Sequence, residues 1–409
     1  MSSQSQLIYA PDVDLLTART VDIIWGSYPG YSSDVFDKKE LIPSVRQNLL
    51  LAVRVLRRGA APSPEELREG RGLGARRASQ SVPLESVIQA YRSAERTIIL
   101  DLFSDSQSWP VRLTSHYADL VISTFDLLTQ EMIDSYRDTS TSIEAARRRV
   151  ENELVRAVVE GAPHPAELDT WTRTLGIDPR LPRIAFAIAT DSVADFAEVH
   201  RLRRRLAAAL QPHVAGPVVF GDVGELTVGL ASPRRAADFP AALERAVRQQ
   251  ELEGRLVIGV GGAASDLRAA AESCRQAIET AGVAGGRPGG ASVTHYADVL
   301  VDVLLSSRPQ VADELAASRL GELDRHPHLV ETLEALIAHD LSQSAAARAL
   351  FVHVNTVAHR LRRIHELTGY DPLRLDDLVS MAIALRWRGR GKASTAGAAG
   401  TGHDGGGAA

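Results

Sequence analysis

Apolar positions recur at helical spacing almost without a break from Asp12 to about Ile143. One segment runs from Asp14 to Trp25. A second runs from Lys39 to Arg58 and places Leu41, Val45, Leu49, Ala52, Val53 and Leu56 on one face. It ends at Gly59 and the Pro62/Pro64 pair. Ser63 then caps a further helix that carries Glu65 and Glu66 in its first turn, where acids suit the helix dipole. In the run from Arg76 to Phe103, Leu84, Val87, Ile88, Tyr91 and Ile98 form an apolar stripe, and two longer helices are predicted after Trp109-Pro110. From Ser142 to Gly161 the residues Ile143, Val150, Leu154 and Val158 share one side among Arg147, Arg148, Glu151 and Glu153. This stretch fits a parallel two-helix connector between sensor and effector domains, as in a dimer, or the last helix of the first domain; it is too short to establish a coiled coil. His116 and Tyr117 are candidate pocket residues, although a lone histidine in a helical domain is more often structural.

The pattern changes at Pro182. The run from Arg183 to Asp191 is continuously apolar and reads as a buried strand. A helix is predicted from Val193 to Leu210, then two strands joined through Gly221-Asp222-Val223-Gly224, then a helix from Ala236 to Glu251. Another strand covers Arg255 to Gly262, followed by a helix from Ser265 to Ala281, a loop from Ala284 to Ser292, and a short strand. This order predicts a mixed sheet with helices against it. Gly259-Val260-Gly261-Gly262-Ala263-Ala264 fits the G-x-G-x-x-A spacing of a dinucleotide-binding turn. No second βαβ half accompanies it, and a tight strand-to-helix turn accounts for the glycines.

The most informative pattern runs from Leu341 to Gly369. Ser342 caps a short helix with Ala346, Ala347 and Leu350 on its apolar face; Phe351-Val352-His353 form a turn; a second helix spans Val354 to Thr368 and ends at Gly369. Within that second helix Val357, Leu361, Ile364 and Thr368 share the inward stripe. Asn355, His359, Arg362 and Arg363 fall on the opposite face, with Thr356 and Arg360 on a flank. Arginine can bridge guanine, asparagine can bridge adenine, and threonine or arginine can hold phosphates, so this face suits a major groove. The same spacing also fits a solvated basic face in an ordinary helical bundle.

The ordered set Thr332, Leu333, Leu336, Ala347, Leu350, Val352, His353, Asn355, Thr356, Val357, Arg360, Leu361, Ile364, Leu367, Thr368 and Gly369 resembles the C-terminal DNA-binding domain of PucR/CdaR-type bacterial transcriptional regulators. The chain departs from that pattern at Val354, where the family has arginine, and at His359, where it has tyrosine or lysine. Arg77-Ala78, Pro83-Leu84 and Ala90-Tyr91-Arg92 resemble the helical N-terminal domain of the same regulators and of RsbR-type stress proteins. The middle region resembles their degenerate GGDEF-like domain. Its hairpin lacks the paired glycines and adjacent Asp-Glu of a true cyclase; Asp222 and Glu225 alone are a poor ligand set for a magnesium–nucleotide complex.

Composition narrows these readings. At 409 residues the chain holds several domains, and a net charge of −5 requires any DNA contact to come from a local basic patch. Arg360, Arg362, Arg363, Arg374, Arg386, Arg388 and Arg390 supply one by proximity in sequence, with Arg386 and Arg388 predicted to reach phosphates. The single cysteine, Cys274, excludes an internal disulfide, and no apolar run reaches the length of a membrane span, so a cytoplasmic location is expected by elimination. The expected fold class is multidomain α and α+β. An all-helical sensory or assembly domain takes residues 1–141, a helical connector 142–172, and a mixed-sheet GGDEF-like domain 173–297. An all-helical helix-turn-helix domain takes 298–388, before a disordered tail at 389–409. The expected function is a non-enzymatic transcriptional regulator. It would read double-stranded promoter DNA as a homodimer or higher oligomer through His353, Asn355, Thr356, His359, Arg360, Arg362 and Arg363. An effector, a small molecule or a protein, would act at the N-terminal domain, and no cofactor or metal is implied. The alternatives are a nucleotide-binding or nucleotide-cyclising enzyme built on the middle domain, and a protein-binding scaffold.

Overall fold

The computed structural model describes residues 9–105, 111–161, 163–190, 196–249, 256–284 and 292–399. The expectation of a loop from Ala284 to Ser292 therefore falls largely outside the described residues. The chain divides into two compact units, Met1–Arg147 and Arg148–Ala409.

The first unit is helical. It contains α1 (Val13–Ile24), α2 (Leu41–Arg58), α3 (Pro64–Ser79), α4 (Leu84–Asp105) and most of α5 (Val111–Val159). The six stripe residues of α2 are all buried, and Gly59 ends the helix at φ 64°, a conformation without penalty for glycine. At the start of α3, the Glu66 N–H donates to Ser63 Oγ (3.3 Å) and the Ser63 N–H donates to Glu66 Oε2 (2.8 Å), closing a capping box. Val87, Tyr91 and Ile98 of α4 enter the core, with Leu84 and Ile88 half-buried beside them. Tyr117 also belongs to this core, whereas His116 is exposed, so the two do not line a pocket together. In place of two helices and a separate connector after Pro110, residues Val111–Val159 form one helix. Nothing in that stretch breaks it, since no proline or glycine interrupts the run.

The second unit begins with the end of α5 and α6 (Pro165–Leu175), which precede a five-stranded sheet. The strands are β1 (Arg183–Thr190), β2 (Val219–Val223), β3 (Leu226–Ala231), β4 (Leu256–Ala264) and β5 (Ser292–His295), in the order β2-β3-β1-β4-β5. All neighbours are antiparallel except β4 and β5, which confirms the mixed sheet. Between them lie α7 (Phe196–Leu210), α8 (Phe239–Arg248) and α9 (Ala270–Ala284). Central strand β1 alternates by face: Ile184, Phe186 and Ile188 join the core with α7 and α8, while Ala185 and Ala187 join the core with α9 and Leu154, Val155 and Val158 of α5. Burial on both faces explains its continuous apolar run.

Two local readings are corrected. Gly259 through Ala264 lie inside β4 and form no turn. A β-carbon on Gly261 would sit 2.0 Å from the Ser273 carbonyl oxygen, and one on Gly259 2.3 Å from the Ala281 nitrogen. These glycines let α9 lie close on the sheet, as glycine in a strand often marks a close backbone approach. The β2–β3 turn falls at Gly224-Glu225, so Gly221, Asp222 and Val223 belong to the strand. The Asp222 carboxylate accepts from Arg203, which also donates to Thr227 Oγ1 at 2.7 Å, and the Asp222 N–H donates to Asn152 Oδ1 at 2.9 Å. Asp222 is thus committed to an internal ion pair. Cys274 is fully buried under the sheet, and burial pushes its thiol up to about 12.

The unit closes with α10 (Leu300–Ser307), α11 (Pro309–Leu320), α12 (Pro327–Ala338), α13 (Gln343–Ala349), α14 (Val354–Thr368) and α15 (Leu375–Ala399). Helix α15 continues past Gly389, where the composition had predicted disorder. It ends at Ala399, and residues 400–409 lie outside the described residues.

Candidate nucleic-acid interface

Helices α12, α13 and α14 pack on one another around a core that includes Leu333, Leu336, Ala347, Val357, Leu361 and Ile364, with Leu378, Met381 and Ala384 of α15 closing it. The inward stripe of α14 is therefore the one read from spacing. Ser342 Oγ accepts from the Ala345 N–H at 3.3 Å and starts α13. The turn after α13 is a closed one: the Phe351 N–H donates to the Arg348 carbonyl (3.2 Å) and the Val352 N–H to the Ala347 carbonyl (3.0 Å). Phe351 takes the left-handed position at φ 55° and is 96% exposed. His353 caps α14, its Nδ1 accepting from the Asn355 N–H at 3.2 Å. That acceptor role leaves the ring proton on Nε2. Gly369 ends the helix at φ 75°.

The outward face of α14 carries Asn355, His359, Arg362 and Arg363, all exposed, with Thr356 half-buried at its start. Arg363 Nη1 donates to Glu366 Oε2 at 2.9 Å on the same helix, and this arginine holds the Glu366 carboxyl below the usual range. Both side chains of that pair are about half exposed, so the contact is weak and a phosphate can displace the glutamate. Arg348, exposed in the last turn of α13, extends the same basic character and was not singled out from the sequence.

Four arginines grouped by sequence proximity are engaged by partners within the protein instead. Arg360 Nη1 donates to Oγ1 of the buried Thr332 at 3.2 Å. Arg386 grips the buried Asp302 with two bonds, at 2.8 and 2.6 Å. Arg388 pairs with Asp324, and Arg390 donates to the Asp302 carbonyl at 3.0 Å. Arg386 and Arg388 thus hold α15 to α10 and to the segment before α12, and the phosphate role expected for them gives way to structural ion pairs. Their acceptors lie 84 and 64 residues away in sequence, beyond the reach of local pattern. Arg319 adds another internal clamp, stacking 4.0 Å over the Tyr370 ring and donating to its hydroxyl at 2.6 Å.

A capped helix presenting exposed Asn, His and Arg, crossed by a second short helix, defines a DNA-binding helix-turn-helix protein. Comparison with known proteins agrees along the chain. Residues 14–151 match the RsbT co-antagonist protein rsbRD N-terminal domain, residues 160–283 the GGDEF-like domain, and residues 329–387 the PucR C-terminal helix-turn-helix domain. The carbohydrate diacid regulator of Escherichia coli (strain K12) is 28% identical over 283 residues, which span 66% of this chain and 72% of that protein. The DNA-binding transcriptional activator AdeR of Bacillus subtilis (strain 168) is 31% identical over 91 residues, 22% of either chain. A regulator of polyketide synthase expression from Bifidobacterium adolescentis aligns over 59% of this chain and 93% of its own at 18% identity, with a TM-score of 0.32, a likeness too loose to bear on the fold. The chain belongs to the PucR/CdaR family of transcriptional regulators. It is a DNA-binding regulator of transcription and not an enzyme. No described helix is long and apolar enough to cross a membrane.

Proposed function

We propose that α14 enters the major groove of promoter DNA and that Asn355, His359, Arg362 and Arg363 meet base edges, with His353, Thr356 and Arg348 near phosphates. The observation that carries this reading is the division of α14 into a buried Val357–Leu361–Ile364 stripe and a fully outward polar face. Arg360 is left out of the base-reading set because its guanidinium is engaged by Thr332. We also propose a homodimer in the cytoplasm. One recognition helix covers few base pairs, and two-fold dimers read paired half-sites about 34 Å apart. The first unit is taken as the receiver of an effector.

The test is a titration of the full chain with duplex DNA from upstream of its own gene, at several salt concentrations. Arg363→Ala should weaken binding and lower the salt slope by about one, as for loss of one phosphate or base cation. An unchanged slope and affinity would remove Arg363 from the interface.

A further inference from the structure

We propose that the helical unit contains a binding site for a small carboxylate, built around the buried guanidinium of Arg77. Arg77 is fully buried, yet it forms no ion pair among the described residues. Its Nη1 donates to Gln80 Oε1 at 2.6 Å, and Gln80 in turn donates to Glu40 at 3.1 Å, so the nearest carboxylate on this path is one side chain removed. Aromatic rings cover the guanidinium faces: Phe36 at 4.0 Å and Tyr31 at 5.6 Å from the central carbon. What remains is the edge formed by Nε and Nη2; both atoms are buried and make no close hydrogen bond, and the Tyr31 hydroxyl is the guanidinium's neighbouring phenol partner. That edge is the one a carboxylate engages with two parallel bonds.

The edge belongs to a lined space. A cavity of about 20 Å³ adjoins Arg77; its lining is mostly apolar, with Ile24, Leu73 and Ala90 among its walls, and includes the residues Tyr31, Ser44, Asn48 and Tyr91. The Tyr91 hydroxyl is fully buried as well, with the Asn48 side chain as its polar neighbour. Burial raises both phenols, Tyr31 to about 12, so each stands as a neutral donor at neutral pH. Arginine stays charged in proteins, and a buried cation without a counter-ion is unfavourable, so an anion here relieves what the fold leaves unpaired. The volume suits a group of one or two water-sized parts, such as formate or the head of acetate, and is too small for a sugar acid. A water could occupy the same space, and the experiment separates the two. For its regulatory meaning the site rests on the helical unit being the effector-binding unit; for binding itself it does not.

The experiment uses the full chain without DNA, so its failure leaves the DNA-binding reading untouched. ¹³C-formate and acetate are titrated and followed by ligand line broadening and by thermal unfolding, against sodium chloride at equal ionic strength. Saturable binding near millimolar is expected, the ceiling for about three heavy atoms, with a rise in unfolding temperature that chloride does not reproduce. Tyr91→Phe should weaken binding several-fold, and Arg77→Met should abolish it while leaving the unliganded unit at least as stable. Absence of saturable binding, an equal effect of chloride, or unchanged binding by Tyr91→Phe and Arg77→Met would overturn the site. If Arg77→Met does not fold, Tyr91→Phe decides alone.

Discussion

Neighbouring arginines on α14 do opposite work. Arg362 faces outward, while two positions earlier Arg360 reaches back to a buried threonine on α12. Loss of Arg360 removes a charged donor from Thr332, whose hydroxyl still donates to the His328 carbonyl at 2.7 Å. Arg360→Ala should therefore cost about 1 kcal/mol of local stability, and Arg362→Ala under about 0.5 kcal/mol. Hydrogen-exchange protection of the α12 amides measures this, and equal losses in the two variants would refute the distinction. The outward set was legible because a 3.6-residue period assigns faces without knowledge of the partner helix. Arg360 was placed on a flank, which was correct, but its acceptor lies 28 residues away and only the packing of α12 on α14 reveals it.

At the scale of elements, helix ends were legible and close approaches were not. Ser63, Ser342, Gly59 and Gly369 each end or begin a helix where the sequence indicated, because capping is settled by atoms within a few residues. The α3 cap makes a pH prediction. Glu66 is held at about 2, first by its hydrogen bond from Arg58 and then by the Ser63 N–H, below its ordinary 4.5. A depressed carboxyl contributes its stability fully above the ordinary value and loses it as pH falls toward the folded one. Protection of the α3 amides should decline between pH 4.5 and 2, whereas Glu66→Gln should show a flatter profile over that window. Identical profiles would show that the cap is not what titrates. Gly259 and Gly261 were misplaced because a glycine-rich strand end and a turn look alike in sequence; the reason for them is α9, supplied by later residues. Gly261→Ala should destabilise the middle region by about 3 kcal/mol, since the Ser273 carbonyl cannot move aside without shifting α9. A fall in its unfolding temperature of less than about one degree would contradict this packing.

Across the whole molecule, the order of an all-helical part, a mixed sheet and a helical end could be drawn from pattern and turn residues. The unbroken length of α5 could not, because helical periodicity continues equally through one helix or through two with a short joint. The tie between α10 and α15 through Asp302 was likewise hidden, since a buried acid and its arginine partner come from segments far apart in sequence. The paired arginines tie α15 to α10 and to the segment before α12, while Arg348, Arg362 and Arg363 stay exposed on α13 and α14. The central claim is that the outward face of α14 discriminates sequence. It is tested most directly by measuring, for wild type and Asn355→Ala, the affinity for the upstream duplex relative to a scrambled duplex of equal length. A loss of about 1–3 kcal/mol in that ratio, with binding to scrambled DNA little changed, is the outcome expected of a base-reading asparagine. Equal ratios for the two proteins would mean that α14 does not read bases through Asn355.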